Sequence, residues 1–332
     1  MAIPIIICDD SSMARKQMWR ALPTDWDFEV SFATNGQEAL ESVKQGKGII
    51  LFLDLTMPVM DGFEVLETLQ QESNSIKTIV VSGDIQPESY SRVMSMGAVA
   101  FIKKPFDPML ILDVLDPLLA DYNSGGIQES PPEVQFSIGP HDIYRELMNV
   151  AMGRAANLLA KHLNAFVVMP IPYANMMNVH ELQMAIDHTA SAENTFAVCQ
   201  GFISSEISGE ALSIFTGTDF KDLADLLNYD GEVDEIASLE LATDISSILV
   251  GAILKSLSEQ IDITFCQGLP VVLGHKLGNF GAIKIDPTKW EETLAIEMFF
   301  TVENKNIYCD FIIVFNSKSI DALKQRLSFL TE

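Results

Sequence analysis

Five short apolar runs recur through the first 120 residues with amphipathic stretches between them, and this alternation constrains the fold more than anything else in the chain. The runs are Ile3–Cys8, Phe28–Ala33, Gly48–Leu53, Thr78–Val81 and Ala98–Ile102; helical patterns fall near 13–22, 37–45, 63–72, 87–96 and 108–120. A strand that is apolar at every position is buried on both faces, which happens when helices cover a parallel sheet on each side. The expected fold is therefore α/β, a doubly wound five-stranded parallel sheet. Asp107 followed by Pro108 supplies an N-cap and a first-turn residue for the last helix. In such sheets the ligand site forms at the carboxyl ends of the strands.

The chain has 332 residues, too many for one ordinary domain. Helix formers give way to turn residues in a stretch containing Asn-Ser-Gly-Gly and Ser-Pro-Pro, so the expected division is a first domain over 1–121, a linker over 122–139 and a second domain over 140–332. Four scattered cysteines (Cys8, Cys199, Cys266, Cys309) form no CxxC pair and no zinc pattern. The longest apolar runs fall short of the roughly 20 residues a membrane span needs, and no secretion signal opens the chain. A cytoplasmic protein without membrane insertion is expected. The formal charge is −25, split as −8 over residues 1–120 and −17 over 121–332. Nucleic-acid binding relies on Lys and Arg neutralising phosphates, so the acidic second part is not expected to bind it.

Residues 140–332 contain an internal echo. Asp142-x3-Glu146-x2-Asn149-x3-Gly153 leads to Pro172, and Glu240-x3-Asp244-x2-Ser247-x3-Gly251 leads to Pro270, every position offset by 98 residues. Each is followed by β-rich sequence (Phe196–Phe215 and Ala295–Phe315) and a final helical stretch (220–227 and 319–327). A period this long is unlike a solenoid and suits two fused half-domains, an α+β domain with a pseudo-twofold internal repeat.

Carboxylates stand at strand ends in the first domain: Asp9 and Asp10 after the first strand, Asp54 after the third. Three acids converging on one edge repel one another, and a hard divalent cation with oxygen ligands, Mg²⁺, resolves that. Asp54 can then act as nucleophile toward a phosphoryl donor. Ser82 ends the fourth strand, and Lys104, before Pro105, ends the fifth and can balance phosphoryl charge. Any one of these alone is an ordinary turn or cap residue. Asp-Asp, Asp54-x3-Pro58-x2-Asp61-Gly62, Ser82 and Lys104-Pro105, each after its own strand, are more specific together. In this combination residues 1–120 closely resemble the response-regulator receiver family, whose fold is flavodoxin-like. The resemblance implies phosphorylation of Asp54 by a sensor histidine kinase, and Mg²⁺ held by Asp9, Asp10, Asp54 and the backbone carbonyl of Thr56. It also implies that Ser82 and Phe101 form the pair that moves on phosphorylation.

Asp142, Glu146 and Asn149, spaced i, i+4, i+7, lie on one helical stripe with Gly153. A polar stripe is ordinarily a solvated face, but an arbitrary one need not recur 98 residues later with its glycine and proline. The glycine implies close approach of another backbone. The segment resembles the CheC/CheX/FliY family of receiver phosphatases, whose motif Asp/Ser-x3-Glu-x2-Asn-x22-Pro is matched by Asp142, Glu146, Asn149 and Pro172. In that family the helix docks on a phosphorylated receiver, the Asn orients the attacking water and the Glu engages the receiver's Lys. The resemblance thus implies a phosphatase acting on a receiver aspartyl-phosphate, its own or that of a chemotaxis regulator. The second copy departs from the motif at Asp244 and Ser247, so one competent helix (142–163) and one degenerate helix (240–260) are expected. The alternative is a non-enzymatic adaptor that grips a chemotaxis or flagellar-switch partner when Asp54 is phosphorylated.

Overall fold

The computed structural model describes residues 2–24, 26–105, 107–120, 139–178, 180, 181, 184, 195–275 and 293–327. The chain divides into two compact units, Met1–Glu146 and Leu147–Glu332. All of the expected linker except Gly139 lies outside the described residues.

The first unit alternates β1 (Ile3–Cys8), α1 (Ser12–Ala21), β2 (Phe28–Ala33), α2 (Gly36–Lys44), β3 (Ile50–Leu53), α3 (Gly62–Gln71), β4 (Lys77–Ser82), α4 (Pro87–Ser95), β5 (Ala100–Lys103) and α5 (Pro108–Leu118). The strands pair in parallel in the order β2-β1-β3-β4-β5. The doubly wound sheet read from the apolar runs is the one found. Its two faces make two separate cores. Ile6, Leu51, Leu53 and Val80 pack with Leu40, Val65, Leu66 and Val93 on one side. Ile5, Ile7, Phe52 and Ile79 pack with Met18, Ile111 and Leu115 on the other. Burying each such side chain contributes about 1.5–3 kcal/mol, which is why the inner strands β1 and β3 hold no polar side chain before their last residue, whereas the edge strand β2 carries Glu29 and Ser31.

Side-chain caps start α1, α2, α3 and α5 where the chain leaves the sheet, while α4 opens on Pro87 without one. Ser11, Asn35 and Asp107 each accept a hydrogen bond from an amide in the first turn, and Asp61 forms a full capping box with Glu64. Two strands are shorter or later than the apolar runs suggested. β3 begins at Ile50, and β5 begins at Ala100 because the Ala98 amide still closes α4 by donating to the Val93 carbonyl at 3.1 Å. Lys104 consequently lies one residue past β5.

Helix α6 (Pro140–Leu163) contains the boundary between the units, and its first seven residues belong to the first. The second unit holds the rest of α6, then β6 (Val167–Val168), β7 (Tyr173–Met177), β8 (Thr195–Ile203), β9 (Ser208–Thr216) and α7 (Phe220–Leu226). The same series follows again as α8 (Glu235–Ile261), β10 (Cys266–Gln267), β11 (Val271–His275), β12 (Thr293–Val302), β13 (Tyr308–Phe315) and α9 (Ser317–Leu327). β7 and β11 start at residues 173 and 271, and β8 and β12 at 195 and 293, which carries the 98-residue echo into the fold. Pairing exchanges the halves. The short strands β6 and β7 join β12, β10 and β11 join β8, and β9 pairs with β13 at the centre. The registers repeat too: Tyr173 faces Glu297, and Val271 faces Cys199.

Phe215, Phe300, Phe311 and Phe315 are fully buried in this unit. Helix α8 adds Leu241, Ile245, Leu249, Ile253 and Leu257 to its buried residues. By length and composition α8 could cross a membrane, yet 56% of its apolar window is buried inside the unit, as in a core helix. Within the same unit Gln260 of α8 donates to the Leu147 carbonyl at 3.0 Å, and Arg154 of α6 pairs with Glu259.

Candidate functional site

β1, β3 and β5 end side by side or one strand apart, so the polar residues after each meet at one edge. Oxygens of Asp9, Asp10 and Asp54 lie within 4.8 Å of one another. The Lys104 Nζ lies 2.6 Å from Asp9 Oδ2 and 3.2 Å from Asp54 Oδ1. Backbone amides fix the two acids: Ser11 N–H donates to Asp9 Oδ1 at 2.9 Å, and Thr56 N–H to Asp54 Oδ2 at 3.0 Å. Gly62 sits directly behind Asp54, its amide donating to the Leu55 carbonyl at 3.0 Å.

A fourth carboxylate comes from α6. Glu146 Oε1 lies 3.4 Å from Lys104 Nζ, and the two side chains are 6% and 2% exposed. Next to it, Arg145 sets Nη1 3.4 Å from Asp10 Oδ2 and donates through Nη2 to the Asp10 carbonyl at 3.2 Å. Asp142 faces the same guanidinium at 3.5 Å. These residues all belong to the first unit.

Burial governs the electrostatics. It alone would drive the Lys104 ammonium toward neutrality, but Asp54, Asp9 and Glu146 outweigh it and hold its pKa well above the usual lysine range. Burial raises Asp54 well above the carboxylate range, with Lys104 opposing and Asp9 and Asp10 reinforcing. Glu146 is raised by burial as well, against Lys104. Asp10 is pushed up to about 6, by burial first and Asp9 second, with Arg145 opposing. Asp9, Asp10, Asp54 and Glu146 outnumber Lys104 and Arg145, the two cations that pair with them. Asp10 Oδ2 is buried and, apart from its ion pair with Arg145, accepts no hydrogen bond. An all-oxygen donor set and an excess of carboxylates over cations fit a small divalent cation such as Mg²⁺.

The other expected residues fall as follows. Ser82 is fully buried at the end of β4, its Oγ accepting from the Asp84 amide at 3.1 Å. Phe101 on β5 is half-buried and meets Tyr90 edge-on with centroids 5.7 Å apart. Asn149 and Gly153 belong to the second unit, the first half-buried and the second buried. In the second copy Asp244 is exposed, and a Cβ on Gly251 would meet only the end of the Gln267 side chain at 3.4 Å. Arg145 was not among the residues singled out from the sequence; it fills a variable position of the motif, and its one signal is a lone cation between Asp142 and Glu146 in an otherwise apolar segment.

An acidic pocket closed by a buried lysine at the carboxyl edge of a five-stranded doubly wound sheet defines a receiver-type signalling domain. Residues 5–116 match the response regulator receiver domain family. The chain is 34% identical over 113 residues to the chemotaxis protein CheY of Thermotoga maritima, covering 34% of this chain and 93% of that protein. It is 38% identical over 110 residues to a protein-glutamate methylesterase/protein-glutamine glutaminase of Halalkalibacterium halodurans, of whose length it spans about a third (32%). The crystal structure of Thermotoga maritima FliY is similar at 18% identity and a TM-score of 0.43, covering 58% of this chain and 99% of that one. The chain belongs to the response regulator family through its receiver domain. Membership implies a phosphodonor such as a histidine kinase, and receivers typically bind Mg²⁺ through such an acidic pocket.

Proposed function

We propose that Asp54 accepts a phosphoryl group and that residues 140–332 form a CheC-like phosphatase domain that removes it. The observation that carries this reading is the buried ion pair between Glu146 and Lys104 within one compact unit. A glutamate from the phosphatase-like motif grips the lysine beside the acceptor aspartate. A solvated polar stripe would leave it in water. The pairing also favours this chain's own receiver as substrate.

Asp9, Asp10, Asp54 and the Thr56 carbonyl would hold Mg²⁺, which neutralises charge on the phosphoryl oxygens. Asp54 attacks the donor phosphorus through its carboxylate, the bond from phosphorus to the donor breaks, the dephosphorylated donor leaves, and Asp54 becomes an acyl phosphate. Lys104 balances the oxygens that face it, and the Ser82 hydroxyl donates to one of them, with Phe101 following Ser82 inward. In the return step a water attacks phosphorus, the bond to the Asp54 oxygen breaks, and carboxylate and inorganic phosphate are released. Phosphoryl transfer needs positioning more than covalent help. The Asn149 carboxamide, with both a donor and an acceptor, suits the orientation of that water. Glu146 fixes the docking register through Lys104.

The test is to load wild-type, Glu146→Gln and Asn149→Ala proteins with a small-molecule phosphodonor and Mg²⁺, then follow loss of the Asp54 phosphoryl group at several protein concentrations. Asn149→Ala is expected to prolong its lifetime roughly a hundredfold, and a lifetime independent of concentration identifies action within one chain. Equal lifetimes in all three proteins, with no activity on a separate phosphorylated receiver, would leave the adaptor reading in its place.

A further inference from the structure

Two neighbouring side chains of α6 hold the receiver pocket in opposite senses. Glu146 offers an anion to Lys104, and Arg145 offers a cation to Asp10. The first is an ordinary consequence of the reading above. The second is not, because Asp10 is one of the three carboxylates that fit a divalent cation.

We infer that Arg145 is a positioning residue that competes with the divalent cation for Asp10, so that metal loading releases one of the two holds of α6 on the receiver. The guanidinium reaches both Asp10 Oδ2 and the Asp10 carbonyl, at 3.4 and 3.2 Å. A cation coordinated by Asp10, Asp9 and Asp54 would set its charge against that of the guanidinium across one buried carboxylate, and the two repel. Arg145 has somewhere to go. It is 30% exposed, and Asp142 one turn earlier in the same helix already faces it at 3.5 Å. Glu146 has no such alternative, being buried against Lys104. The metal-free receiver is therefore gripped at two points and the metal-loaded receiver at one. Coupling between two ligands of one group is reciprocal: whatever Arg145 does to metal affinity, metal does to the Arg145 hold.

This inference rests on the metal reading of the pocket but not on phosphatase activity, and its test measures binding. Mg²⁺ is titrated into the full chain by calorimetry in wild-type, Arg145→Gln and Arg145→Lys forms. Arg145→Gln is expected to bind Mg²⁺ about tenfold more tightly than wild type, while Arg145→Lys, which keeps the charge, stays near wild type. In parallel, hydrogen exchange over residues 140–146 is expected to quicken on Mg²⁺ addition in wild type and to be insensitive to it in Arg145→Gln. One Mg²⁺ affinity shared by all three forms would overturn the competition and leave the metal site standing. No Mg²⁺ binding in any form would overturn the metal site itself, and this inference with it.

Discussion

Gly62 follows Asp54 by eight residues in the chain yet stands directly behind it in the fold, where α3 begins. A Cβ there would overlap the Asp54 carbonyl oxygen and come within 2.8 Å of Leu55 Cα. Neither neighbour is the end of a flexible side chain, so the backbone carrying the acceptor would have to move. Gly62→Ala is expected to cost about 2 kcal/mol of receiver stability by overpacking, read from the urea midpoint at unchanged slope. It is also expected to slow phosphorylation of Asp54, because the Thr56 amide that holds Oδ2 rides on the same loop. A variant as stable and as readily phosphorylated as wild type would show that the loop relaxes without disturbing the acceptor. The Asp-Gly pair at 61 and 62 was legible in the sequence as a helix start and a motif element. That the glycine leaves room for the acceptor's own carbonyl was not, because the overlap involves residues eight positions apart.

Helix α6 and its later counterpart α8 descend from the same pattern and have parted company. Glu146 of α6 is buried against a lysine, whereas Asp244, its equivalent in α8, is exposed. Ser247, in place of Asn149, lacks the carboxamide, and its backbone carbonyl accepts from Gln267 at 3.3 Å. On the proposed reading Ser247→Ala should leave the lifetime of the Asp54 phosphoryl group within about twofold of wild type, against the large change expected at Asn149. A loss as large as that of Asn149→Ala would mean that both copies act. Both helices and their 98-residue offset could be read from spacing alone, since i, i+4, i+7 repeats survive sequence drift when they build one face. The burial of Glu146 could not. Periodicity assigns a residue to a stripe, and only the opposing Lys104, 42 residues earlier in the chain, turns that stripe inward. Arg145 illustrates the same limit, because its partner Asp10 lies 135 residues away.

At the scale of the molecule, the repeat raises the question of how many cooperative bodies the chain contains. A duplicated sequence invites a count of three: a receiver and two half-domains. Strand exchange argues for two. β6 and β7 complete the sheet on β12 of the other half, β10 and β11 do the same on β8, and β9 and β13 share a ladder from Gly209–Phe315 to Phe215–Cys309. Neither half can open without stripping ladder bonds and apolar surface from its twin. Exposed backbone groups and unpaired edges of that kind are costly, so the halves should unfold together. The sequence announced the duplication but not this exchange, because strand partners depend on which edges meet in space, and both halves offer the same alternation. Scanning calorimetry of the full chain is expected to show two transitions, one for each unit, with the second-unit enthalpy matching its van't Hoff value. Mg²⁺ at about ten times its dissociation constant should stabilise the receiver transition by about 1.4 kcal/mol, following RT ln(1 + [L]/Kd). A third transition, or a second-unit van't Hoff enthalpy near half the calorimetric one, would mean that the halves fold as separate bodies despite their shared sheet.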